Sequence, residues 1–133
     1  MATDIVVTNG AFRLALGFME VDTSDLGVNV CLRIDYAGTR QALAWTVDQL
    51  WIEYDALRTF EQGLRDGPDA WLRDMSDYAI LHVERRSSGE TLTINPPGER
   101  QSADGAAVAV RLALDSGSMQ ALHASLSAFP KWW

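Results

Sequence analysis

The chain has 133 residues, 47% of them hydrophobic and 22% charged, with a net charge of −7. One domain spanning residues 1–133 is expected, large enough to bury a core without metal support, and the single cysteine, Cys31, excludes an intramolecular disulfide and fits a reducing compartment. The acidic balance disfavours nucleic-acid binding, which needs a basic face, and no apolar run approaches the ~18 residues of a membrane span.

The first ten residues carry Asp4 and no basic run, so they do not form a secretory signal, and a cytoplasmic protein is expected. Ile5–Val7 and Phe12–Val21 are β-rich pieces on either side of Asn9-Gly10, a turn dipeptide suited to a hairpin. After the polar turn Asp22–Gly27, Val28, Val30, Leu32, Ile34 and Tyr36 alternate with Asn29, Cys31, Arg33 and Asp35, which predicts a half-buried strand with Cys31 on the more polar face. In Arg40–Ile52, alternation places Leu43, Trp45, Val47 and Trp51 on one face and Ala42, Ala44, Leu50 and Ile52 on the other, so a central strand covered on both sides is expected.

Leu57, Phe60 and Leu64 recur at helical spacing and predict an amphipathic helix. Glu53 and Asp55 suit its start, and Gly67-Pro68 its end. Ala70–Met75 is a short strand or a loop, Asp77–Arg86 a strand, Ser87–Glu90 a hairpin turn and Thr91–Asn95 the returning strand. Pro96–Gly105 is polar and rich in Gly and Pro, as in an exposed loop, and Ala106–Leu114 alternates as a final strand. Asp115–Ser118 offers N-cap residues to a second helix striped by Met119, Leu122, Leu126 and Phe129 and stopped by Pro130. The sum is an α+β fold: a mainly antiparallel β-sheet of seven or eight strands with two amphipathic helices packed on it.

No catalytic constellation is visible. His82 and His123 fall on different elements with no nucleophile motif beside them, and with one cysteine they make no zinc set. Asp74 and Asp77 are too few oxygens for a calcium or magnesium site and suit a loop cap better. Phosphate-loop, dinucleotide and hydrolase motifs are absent, so neither an enzyme nor a cofactor is expected.

Two features stand out. Between Asp48 and Asp77 lie eight acids against three arginines, which predicts an acidic patch on the first helix and the loop after it, with Glu53, Asp55, Glu61, Asp66 and Asp69 as partner-binding candidates. Five tryptophans form the second: Trp45, Trp51 and Trp71 suit core filling, whereas Trp132 and Trp133 end the chain and are candidates for either core or interface. Burying two indoles favours docking over a loose end, on this chain's own sheet ahead of a second copy.

The aromatic strand LAWTVDQLWI, the Leu57, Phe60, Leu64 helix, Leu72–Met75, the hairpin and the Asp115, Ser118, Leu122, Leu126 helix follow one another in an order that resembles the WapI-type immunity proteins of bacterial polymorphic toxin systems, over roughly residues 27–129. The resemblance implies a cytoplasmic, non-catalytic monomer or homodimer that binds and neutralises a cognate toxin domain, expected to be basic. It transfers no site residues. An acidic secretion chaperone that holds an effector segment is the alternative.

Overall fold

Residues 3–102 and 108–133 are described by a computed structural model. Strands β1 (Ile5–Asn9), β2 (Phe12–Asp22), β3 (Gly27–Ala37) and β4 (Ala42–Glu53) form one antiparallel sheet in that order. Gly10, at φ +61°, turns the chain between β1 and β2, and Asn9 pairs with Phe12 across the turn. β4 runs without a loop into helix α1 (Tyr54–Asp66). Strands β5 (Asp69–Arg73), β6 (Ala79–Arg86), β7 (Gly89–Ile94) and β8 (Val110–Leu114) form a second antiparallel sheet, again in chain order, and helix α2 (Ser118–Ala128) follows. The fold is thus α+β with eight strands and two helices, but the strands divide between two sheets where one was expected. The final strand begins at Val110. Of the residues expected to open it, Val108 is exposed and Ala106 and Ala107 lie outside the described residues, as does part of the expected loop.

β4 is an edge strand, and the central place predicted for it belongs to β2 and β3. Its faces also differ from strict alternation. Val30 pairs with Leu50 and Leu32 with Val47, so Asp48 and Gln49 together oppose Cys31. This bulge, with Gln49 at φ 57°, resets the phase of the strand. Leu43, Trp45 and Val47 therefore share the core side with Leu50 and Ile52, while Trp51 leaves it. β3 is buried on both sides at its start, because Asn29 bonds to Glu20 of β2 and Cys31 to Asp48 of β4.

Leu57, Phe60 and Leu64 are buried as their spacing predicts, each worth about 1.5–3 kcal/mol relative to exposure. α1 packs on β5, on α2 and on the end of β4, and α2 packs on β1. The α1–β5 approach is close enough that a Cβ built on Gly63 would lie 2.7 Å from the carbonyl oxygen of Asp69, so only glycine fits there. Arg85 of β6 donates to the carbonyls of Leu64 and Gly67 and so places a cation at the C-terminus of α1. One core joins both sheets and both helices.

The helix starts depart from the expected acidic caps. Glu53 makes no side-chain bond to α1. At α2 the N-cap is Gly117, at φ 87°, and the carboxylate comes from Glu90 on β7. One oxygen of Glu90 accepts the N–H of Gly117 at 2.9 Å and the other that of Met119 at 2.6 Å. The amide of Asn9 donates to Ser118 Oγ at 2.8 Å and ties the end of β1 to the same turn.

Candidate functional site

Pro130 ends the second helical stripe, and the tail turns back across the first sheet. Phe129 stacks on Phe18 of β2 at a centroid distance of 4.8 Å. Trp133 lies 5.2 Å from Phe18 and stacks on Tyr54, the first residue of α1, at 5.7 Å and 10° between planes. Lys131 pairs with Glu61 at 2.8 Å and donates to the carbonyl of Leu126, which fixes the turn. The two terminal indoles therefore have different environments. Trp133 is half-buried against this chain's own fold, whereas Trp132 remains 53% exposed and meets Trp133 edge-on at 5.5 Å. An exposed aromatic on a packed base loses little side-chain freedom on binding, which is how an interface anchor gains affinity.

Four of the five candidate acids are paired with a basic side chain or a histidine. Glu53 and Asp55 stand exposed at the start of α1, on either side of Tyr54 in sequence. Asp55 pairs with Arg58 at 3.1 Å, Asp66 with Arg65 at 2.7 Å, Glu61 with Lys131, and Asp69 with His82 at 3.0 Å. The cations interleaved along α1 balance much of its acidity. Hydrogen bonding from Arg65 holds the Asp66 carboxyl below its ordinary range, as that from Arg33 does for Asp35. Asp69 lies on the outer side of the second sheet, where it lines one shallow pocket with Arg65 and Asp66 of α1.

That outer side carries a cluster that sequence reasoning missed. Trp71 and His82 are cross-strand partners, stacked at 3.6 Å, with Arg73 4.9 Å above the indole. His82 Nε2 meets Asp69 and its Nδ1 lies 3.7 Å from Glu84, which also pairs with Arg86. The period-2 pairing of Asp69, Trp71, Glu84 and His82 becomes visible only when the β5–β6 register is known. The histidine is packed and partnered on both nitrogens, as expected for a rim histidine. Of the three tryptophans suited to core filling, Trp45 packs on the core, whereas Trp71 serves this outer cluster.

Cys31 is buried, with its thiol 3.2 Å from Asp48 Oδ1, and burial followed by this carboxylate raises the thiol's pKa. That is the reverse of what a nucleophile needs. Asp74 caps its own turn, as expected, by accepting the N–H groups of Ser76 and Tyr78 at 2.9 Å. Among the described residues no three His, Cys, Asp or Glu side chains converge on a point that would hold a metal ion, and no helix is long and apolar enough to cross a membrane. Compared with known proteins, the chain matches no family model, and neither a curated protein nor a solved structure is similar to it.

Proposed function

We propose that the protein acts by binding, without catalysis, as an immunity protein that neutralises a cognate bacterial toxin domain in the cytoplasm. The observation that carries this reading is Trp132, held half out of the fold against Trp133, which stacks on Tyr54, the residue flanked in sequence by the exposed acids Glu53 and Asp55. An indole anchor beside negative charge suits a basic folded partner: the acids speed encounter and the indole slows release. The order of elements that resembles the WapI-type immunity proteins supports the same reading.

Co-expression with the toxin domain encoded beside it is expected to rescue cell growth and to yield a 1:1 complex. Trp132→Ala is expected to weaken that complex by about 2 kcal/mol, near thirtyfold, while leaving the melting temperature nearly unchanged. Failure of rescue, together with substrate turnover by the purified protein, overturns the proposal. A dimer holding an unfolded segment would make it a secretion chaperone instead.

A further inference from the structure

Each sheet has two edges, and the protein treats them unequally. β1 and β5 carry a helix each, α2 and α1 respectively. The end of β4 is tied down where the Trp51 carbonyl accepts the N–H of Met75 at 2.9 Å. β8 and the start of β4 remain as edges, and β8 and the turn leading into β4 line one cleft of about 440 Å³. One wall is residues 38–41 of the turn between β3 and β4, with Tyr36 of β3 and the first two residues of β4. The other is an unbroken run of β8, residues 110–113. Side chains of a strand alternate between faces, so a run of consecutive residues lines a cleft along the strand's edge, where alternate N–H and C=O groups point outward.

The charge in this cleft is unlike the rest of the surface. The chain has eleven Lys and Arg side chains. Nine are engaged with carboxylates, backbone carbonyls or aromatic rings, as in the Arg13, Arg33, Arg58, Arg65, Arg73, Arg86 and Lys131 pairs, the Arg85 cap and the Arg100 contact with Tyr78. Arg40 and Arg111 have no partner among the described residues, and both line the cleft. An acidic protein thus holds two guanidinium groups that are unpaired among the described residues beside the open edge of β8.

We propose that this cleft takes an extended acidic segment of a partner protein, which adds as a strand beside β8 and places its carboxylates on Arg40 and Arg111. Backbone pairing supplies affinity in such strand addition, and the two fork-shaped guanidinium groups select carboxylate-bearing segments. The negative charge elsewhere does not forbid this, because at physiological salt charges beyond about 8 Å are largely screened. The site is separate from the Trp132 surface and does not depend on the toxin reading.

The test is fluorescence anisotropy with the whole protein and a labelled set of short peptides carrying glutamate at alternate positions, with threonine, valine, leucine or tyrosine between. Saturable binding is expected for at least one member, at least about tenfold tighter than for its lysine counterpart and for a version with a central proline. The double variant Arg40→Glu, Arg111→Glu is expected to lose that binding with an unchanged circular dichroism spectrum, since both residues are exposed. The proposal is overturned if no glutamate peptide binds, or if the lysine peptide binds equally well. Equal binding of the proline version would leave a simple anion site and overturns strand addition. Sedimentation showing a dimer that the double variant dissociates would assign the cleft to a second copy of this chain.

Discussion

Residues 1–66 and 67–133 share one element order, four antiparallel strands and then a helix, but they build it from different materials. In the first half β2, β3 and β4 run 11 or 12 residues and carry two bulges, and the helix begins where the last strand stops. In the second half the strands are 5 to 8 residues long, and the helix is started by a carboxylate borrowed from β7. Each helix then packs on the first strand of the other half, α1 on β5 and α2 on β1. Neither half covers its own first edge. A repeat of architecture therefore does not imply two independent units, because the stabilising contacts cross between the halves.

The largest effect should come from breaking that crossing. Leu64 and Leu126, one on each helix, are fully buried, and Leu→Ala at either is expected to cost about 2–5 kcal/mol. Because the core is shared, tryptophan fluorescence and circular dichroism should report one coincident urea transition in both variants. Two separated transitions would show that the halves unfold apart and would break the comparison.

An intermediate effect isolates the difference in helix starts. Glu90→Ala removes both bonds to the first N–H groups of α2 and is expected to cost about 1–2 kcal/mol, with Glu90→Gln recovering part of it. Glu53→Ala, at the matching place in the first half, should change the melting temperature little, since Glu53 makes no cap bond. Equal losses would mean that the two starts are equivalent after all.

The smallest effect tests the bulge that sets the first half apart. Burial and Asp48 raise the pKa of Cys31, so the folded state favours the thiol. Its contribution to stability is present below the ordinary thiol range and is lost as pH rises through that range toward the raised value. Alkylation by iodoacetamide near pH 9 is expected to be at least about tenfold slower in the native protein than in urea. Similar rates would place the thiol in solvent and undo the account of the bulge.

Local patterns were legible where one period ran through an element. The stripe Leu57, Phe60, Leu64, the Asn9-Gly10 turn and the alternation in β3 all identified their elements from spacing alone. β4 was misjudged because Asp48 and Gln49 insert one residue into an otherwise regular pattern, and a bulge leaves no clear mark in composition. The split into two sheets was hidden for a related reason, since neither sheet's edge is encoded in the strand that forms it. At the candidate site, the docking of Trp133 followed from the energetics of burying an indole, but its separation from Trp132 depended on which ring Tyr54 reached. The partnering of the acids was out of reach, because Lys131 finds Glu61 across seventy positions of sequence, a distance no local pattern can bridge.

The bond from Asn9 to Ser118 and the packing of α2 on β1 carry a consequence for synthesis. The first strand leaves the ribosome early, but the helix that shields its open side starts 109 residues further along the chain. Until then a nascent chain with its first sheet assembled presents an uncovered edge, the kind of surface that pairs wrongly with other chains. Covering that edge therefore waits for contacts far apart in sequence, which close slowly. A burst of translation without a matching supply of chaperone should expose the first half to aggregation before the second half can rescue it.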